Sequence, residues 1–296
     1  MQALWMVLGA FLFATMGVCI KFASTDFNSF EIVFYRGVVG VLFLIGLTRA
    51  RGVSLRTTVP MMHLWRSVVG VTALCTWFYS IGQLPLATAM TLNYMSSVWI
   101  AAFLLGGAVI MQTRDTPIRQ QGPLFVAVII GFIGVAMMLR PSFTHEQMGG
   151  ALAGLVSGIF SAFAYLQVAA LAKAGEPESR TVFYFSCGAL LVGAVGMGFV
   201  GFNAWQWPSA WWLLPIGLLA VFGQLCMTRA YASGRTLVVA SLQYSGIVFA
   251  GIYSLTIFGD QLPLIGWAGM GLIIVSGITA TVLRERAVPH APAEDH

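Results

Sequence analysis

Ten long apolar windows dominate this chain, at about 3–20, 30–48, 64–83, 87–111, 121–139, 149–172, 181–201, 209–231, 236–257 and 263–283. A bilayer core is crossed by about 20 helical residues, and each window reaches that length within a few residues. Short polar stretches separate them, among them Ser24–Asn28, Arg49–Thr58, Arg114–Gln121, Pro141–Gln147 and Lys173–Arg180. Pro85, Pro208 and Pro263 stand where helices start again. A transmembrane barrel would instead alternate polar and apolar residues over strands of about ten residues. Composition agrees: only 8% of residues are charged and 58% are hydrophobic. A soluble domain carries roughly 25% charge, so this chain lacks the polar surface that water demands. The expected fold is an all-α polytopic membrane protein with ten transmembrane helices.

Lysine and arginine set the expected orientation, because cytoplasmic connections hold the excess of positive charge. With the N-terminus inside, the cytoplasmic side receives twelve: Arg49, Arg51, Arg56, Arg66, Arg114, Arg119, Lys173, Arg180, Arg229, Arg235, Arg284 and Arg286. The other side receives Lys21, Arg36 and Arg140. Both termini are expected to be cytoplasmic, with residues 284–296 forming a disordered polar tail. The first window has no basic flank and no small-residue cleavage site, so it reads as a span and not as a signal peptide. The net charge of +5 therefore belongs to the connections and gives no support to nucleic-acid binding. Cys19, Cys75, Cys187 and Cys226 lie in apolar windows without C-x-x-C spacing or companion histidines. Neither a metal site nor a disulfide framework is expected, and no cofactor motif is present.

The two halves echo each other. Val33-Phe34-Tyr35 recurs as Val182-Phe183-Tyr184, and Leu92-Asn93-Tyr94 recurs as Leu242-Gln243-Tyr244, at nearly the same offset and at equivalent windows. This divides the chain into residues 1–141 and 142–283. Five spans per half is an odd number, so the second copy is expected to be inverted across the membrane. Inverted repeats are frequent in secondary transporters, where a site between two similar halves is exposed alternately to each side.

Several local patterns resemble the drug/metabolite transporter superfamily, in its ten-helix EamA-like branch. They are Phe11-Leu-Phe-Ala14, Phe34-Tyr35-Arg36, Leu84-Pro-Leu-Ala-Thr-Ala89 leading to Leu92-Asn93-Tyr94, and Ile257-Phe-Gly-Asp-Gln-Leu262 followed by Gly266, Gly271 and Gly277. The chain departs from the family pattern at Met111-Gln-Thr-Arg114, where an acidic residue is usual. It departs again at Asp260, which replaces Glu, and at Ser96 and Ser97, where proline is common. The resemblance implies a bacterial inner-membrane carrier with spans one to four and six to nine around a central cavity. Spans five and ten would lie outside it. The resemblance also implies export of amino acids or related metabolites.

Polar groups within the bilayer are costly, so they mark candidate sites. Arg36 lies about 7.5 Å deeper than Glu31 at helical rise and is a candidate for holding a substrate carboxylate or for gating. A structurally paired or snorkelling arginine is the competing reading. No acidic residue lies deep in any span, which disfavours tight proton coupling through an intramembrane carboxylate. The remaining candidates are aromatic and amide-bearing: Trp77, Tyr79, Asn93, Tyr94, Trp99, Tyr165, Gln167, Gln224, Gln243 and Tyr244. Amides give and accept hydrogen bonds, and rings supply an apolar wall; packing between helices is the competing role for each ring. Gly150, Gly154 and Gly158 form a G-x-x-x-G-x-x-x-G stripe suited to close helix packing. The leading expectation is an alternating-access exporter of small metabolites, amino acids first. An importer of a vitamin or nucleoside-like cofactor is the second reading. A membrane-embedded enzyme is disfavoured, because no nucleophile, base and acid fall at useful spacing. Both a monomer and a homodimer fit the sequence.

Overall fold

The computed structural model describes residues 4–96, 145–233, 239, 242–261 and 263–287, with scattered positions between 98 and 137. The expected fifth window and the end of the fourth lie largely outside the described residues. Among the described residues every regular element is a helix. The first four are α1 (Leu4–Ala23), α2 (Ser29–Ala50), α3 (Pro60–Gln83) and α4 (Leu86–Tyr94). They are followed by α5 (His145–Lys173), α6 (Glu178–Val200), a single turn at Trp207–Ala210, α7 (Leu213–Ser233), α8 (Ser245–Thr256) and α9 (Leu264–Ala287). The last helix continues past the expected boundary at 283.

Five helical stretches are long and apolar enough to cross a membrane: Leu4–Ala23, Ser29–Ala50, Gln147–Lys173, Glu178–Val200 and Trp207–Ala232. The 24-residue α3 is long enough but more polar, because His63, Arg66, Thr72 and Thr76 interrupt its apolar surface. His63 and Arg66 are buried, so this polarity faces protein. Helix ends follow local chemistry. Asn28 caps α2 by accepting from the N–H groups of Phe30 and Glu31, while the Glu31 side chain accepts from the Asn28 N–H, forming a capping box. Pro60 opens α3, where a missing N–H is harmless. Gly201 ends α6 at φ +88°, a backbone that side-chain-bearing residues rarely adopt.

The packing repeats itself. α3 packs along α5 as α7 packs along α1, and α4 lies on α5 as α8 lies on α1. α3 crosses α6 as α7 crosses α2, whereas α2 pairs directly with α6 and α4 with α8. Exchanging α1–α4 with α5–α8 leaves this pattern unchanged.

Two windows that read as continuous in sequence are each interrupted, at matching places, by a single turn residue that keeps right-handed helical backbone angles. α4 ends at Tyr94 and Met95 forms a turn before helical geometry resumes at Ser96. In the second half, Leu242 and Gln243 are helical, Tyr244 is a turn residue, and α8 starts at Ser245. The glycine stripe of α5 explains how the first break is accommodated. A Cβ on Gly158 would sit 2.7 Å from the Leu92 carbonyl oxygen, and one on Gly154 would sit 2.8 Å from Ser80 Oγ. The stripe is thus a packing surface, with α5 pressed against α3 and α4. Outside this core, α9 meets α8 where the Trp267 ring covers Gly251.

Candidate functional site

A cavity of about 50 Å³ lies between the halves. Its wall is assembled from Phe13 on α1, Arg66, Gly70 and Trp77 on α3, and Asn93 and Tyr94 at the end of α4. Ser161 and Tyr165 on α5, Phe185 on α6, and Gln224 and Met227 on α7 complete it. A volume of this size holds a few waters at most, so a metabolite requires the halves to move apart.

Of the residues singled out from sequence, Trp77, Asn93, Tyr94, Tyr165 and Gln224 line this cavity. The Asn93 amide nitrogen donates to Ser157 Oγ and Ser161 Oγ, both at 3.0 Å, tying the α4 break to α5. Gln243, its repeat counterpart, donates to the Tyr165 hydroxyl at 3.0 Å and accepts from the Tyr231 hydroxyl at 3.2 Å. The Tyr165 and Tyr231 rings stack with centroids 5.8 Å apart. Each break therefore carries an amide that reaches into α5, one through serines and one through a tyrosine. Tyr244 is buried, with its hydroxyl against Gly277 of α9.

The structure does not bring Tyr79, Trp99 or Gln167 to the cavity. Tyr79 is 45% exposed on the outer face of α3. Trp99 stacks on Phe103 with centroids 6.1 Å apart. Gln167 is half-buried on α5, with no place in the cavity wall.

Arg36 is 3% exposed and holds its guanidinium carbon 5.1 Å from the centre of the Phe185 ring. Arg66, also 3% exposed, sits over the same ring at 4.2 Å and faces the cavity. The charge count from sequence treated Arg66 as a cytoplasmic connection residue. The helix actually begins at Pro60, six residues earlier, and carries Arg66 two turns into the bundle. Proline at the first helical position was the available signal. Arg66 folds back along its own helix over Gly70, where a Cβ would fall 1.7 Å from Nη1; only glycine leaves the guanidinium this place.

Among the described residues, four buried side-chain atoms on the cavity wall lack a hydrogen-bond partner: Arg66 Nε and Nη1, Trp77 Nε1 and the Tyr94 hydroxyl. Arg36 Nε and Nη1 are likewise unpartnered. Buried polar atoms normally find partners, and all six of these can donate.

The two ends of the α2–α6 pair are closed by counterpart clusters. At one end Glu176, in the α5–α6 connection, accepts from Thr57 Oγ1 at 2.8 Å, lies 3.0 Å from His63 Nε2, and accepts from Arg180 Nη1 at 3.1 Å. Arg180 also donates to the Ser54 carbonyl, and the Tyr184 hydroxyl donates to that of Leu55 at 2.9 Å. Burial pushes the Glu176 carboxyl up, but the hydrogen bonds from Thr57, His63 and Arg180 outweigh it and hold it below its ordinary value. At the other end Glu31 accepts from the Asn203 N–H at 2.7 Å and from the Asn28 N–H at 2.6 Å. Asn203 Nδ2 donates to the Asp26 carbonyl at 2.8 Å, and Ser209 hydrogen-bonds the Asp26 carboxylate. Tyr35, the repeat counterpart of Tyr184, packs edge-on against Trp205.

The EamA-like transporter family matches residues 1–140 and, a second time, residues 148–282. The chain belongs to this family. The EamA-like assignment agrees with the relatives. The chain is 33% identical over 274 residues to the pseudopaline exporter CntI of Pseudomonas aeruginosa, covering 92% of this chain and 93% of that protein. An uncharacterized transporter of Helicobacter pylori is 25% identical over 275 residues, covering 90% of this chain and 89% of that one. An S-adenosylmethionine uptake transporter of Rickettsia bellii is 22% identical over 266 residues, covering 86% and 84%. A crystal structure matches over 96% of this chain and 98% of its own, with a TM-score of 0.66 at 18% identity, which speaks to the fold alone. This EamA-like protein is a multi-pass bacterial inner-membrane transporter of small molecules.

Proposed function

We propose that this EamA-like protein exports a small amino-acid-type metabolite by alternating access between two inverted five-helix halves. The arrangement is residues 1–141 and 142–283, ten spans in all, with both termini cytoplasmic. One observation carries the reading: next to single-residue turns at matching positions, Met95 and Tyr244, Asn93 and Gln243 each send an amide toward α5 beside a central cavity. Two similar halves of opposite orientation make opposite conformations close in energy. The packing that survives exchange of α1–α4 with α5–α8 supports the two-half reading. The charge bias, eleven to two once the buried Arg66 and Arg36 are set aside, supports the orientation. The relative named as an exporter, similar over nearly the whole chain, supports the direction.

Purified protein in proteoliposomes, offered labelled amino acids with and without a pH gradient, tests this. Saturable flux above empty liposomes is the expected outcome. Folded protein that moves no amino acid sinks the amino-acid reading. Uptake of a nucleoside-like cofactor would then lead, since Trp77, Tyr94 and Tyr165 offer rings to a planar ligand and one relative is named for S-adenosylmethionine uptake.

A further inference from the structure

We propose that the transported molecule is a small organic anion bearing two carboxylates, bound by Arg66 and Arg36 around the Phe185 ring. The proposal rests on the transport reading above and narrows its substrate class. Two guanidinium groups share one ring in the middle of a lipid-embedded bundle, each 3% exposed. Taking such charges out of water is expensive and is normally offset by an opposite charge. Among the described residues the ion pairs are those of Glu176 with His63 and with Arg180, and neither involves Arg36 or Arg66.

The ten acidic residues of the chain explain why. Glu31, Asp26, Glu176 and Asp260 are held by other partners near helix ends. Glu178 stands in the first turn of α6. Glu146 stands in the first turn of α5, Asp115 falls in a polar stretch of the sequence, and Glu285, Glu294 and Asp295 come toward the C-terminus. Among the described residues, then, two positive charges stand at the centre of the bundle with no carboxylate paired to either. The face of Phe185 offsets this only in part, through its ring quadrupole.

The surroundings point the same way. The unpartnered atoms on the wall, from Arg66, Trp77 and Tyr94, are all able to donate. Donors in that arrangement suit a ligand made of acceptors, and guanidinium matches carboxylate with two parallel hydrogen bonds. The repeat sharpens the point. Arg36 and Phe185 occupy equivalent positions, in Phe34-Tyr35-Arg36 and Phe183-Tyr184-Phe185, so one half supplies the charge and the other the ring. A neutral zwitterion would bring an ammonium against two guanidinium groups, whereas two carboxylates balance both. Arg66 already faces the cavity; Arg36 joins the wall as the cavity widens to admit the ligand.

The test offers succinate, glutamate, leucine and glycerol phosphate to the purified full-length protein. Thermal stabilisation in detergent and flux in proteoliposomes are both read. Succinate and glutamate should stabilise the protein and cross, with leucine at least tenfold weaker. Arg66→Gln and Arg36→Gln should each lose about 10- to 100-fold in dicarboxylate affinity, the range of a hydrogen bond to a charged group, and Arg66→Lys should retain part of it. Without ligand, both glutamine variants should be at least as stable as wild type, since a charge kept for a ligand burdens the empty fold. Leucine and succinate handled alike, with Arg66→Gln indifferent, would overturn this inference and leave transport standing. Preference for glycerol phosphate would overturn the carboxylate class. Unfolding of both glutamine variants, rescued by Arg66→Lys without ligand, would mark the charges as structural and overturn the site. Folded protein that moves and binds none of the four would overturn the dicarboxylate site, and whether it moves any other amino acid then decides the transport reading separately.

Discussion

Glu176 Oε2 lies 3.0 Å from His63 Nε2, and this contact joins the start of α3 to the connection between α5 and α6. Arg180 and Thr57 complete the same carboxylate's hydrogen bonding. The cluster therefore links the two halves at one end of the bundle, opposite the end where Glu31 meets Asn203.

Glu176→Ala should destabilise the protein by about 3 kcal/mol, because removing one member of a buried pair leaves the others unpartnered. The pH dependence follows from the sign of the shift. The carboxyl is held below its ordinary value, so its contribution is present above the unfolded-state pKa of about 4.3. It is lost as pH falls through the still lower folded-state value. Thermal unfolding of wild type between neutral and acid pH should show this loss, and Glu176→Ala should flatten it. A parallel pH response in both proteins would remove Glu176 from the account.

At the opposite end, Glu31→Ala should do more damage than Asn203→Ala. The first leaves the backbone N–H groups of Asn28 and Asn203 without their acceptor, at about 1–3 kcal/mol for each group left buried. The second keeps the Asn203 backbone bond to Glu31 and deletes only the side-chain bonds. Melting temperatures of the two variants, in matched detergent, decide the order.

Gly70→Ala should separate binding from folding. Its Cβ would collide with Arg66 Nη1, the mobile end of a long side chain, and with the Phe185 ring edge at 2.9 Å. The guanidinium can move, so the protein should still fold while the cavity wall is rearranged. Reduced transport at near-normal melting temperature is the expected result; equal transport would show that the position of Arg66 is immaterial.

Tyr165→Phe should remove the acceptor of the Gln243 amide, at about 1–3 kcal/mol for a buried group left unpaired, and should reduce transport. Tyr79→Ala, at an exposed position off the cavity, should stay within about 0.5 kcal/mol of wild type and transport normally. Flux and thermal unfolding of the two variants side by side check both.

Much of the architecture was legible because lipid makes it so. A backbone with no water to bond must close its hydrogen bonds within each segment, so apolar length alone announces helices, and short polar connections divide them. The offset between Leu92-Asn93-Tyr94 and Leu242-Gln243-Tyr244 pointed to equivalent places, and the structure puts a helix break at both. The turns themselves were not legible, since Met95 and Tyr244 are residues a helix accommodates, with neither glycine nor proline at the turn position. At the first of them Gly158 of α5 lies against the Leu92 carbonyl, a contact between distant parts of the chain.

Among the site residues, Arg36 stood out because a charge inside an apolar window is anomalous in one dimension. Arg66 did not, because it lies at the edge of such a window and resembles an interfacial anchor. Sequence by itself determined the helical membrane class and the family and singled out a candidate set of rings and amides, since these follow from local composition and spacing. Tertiary structure alone decided which side chains meet: it brought Arg36 and Arg66 to one Phe185 ring, turned Tyr79 outward, and set Gln243 on Tyr165. Helix register and crossing fix those encounters, and they arise from packing across the whole bundle, which no window of sequence contains.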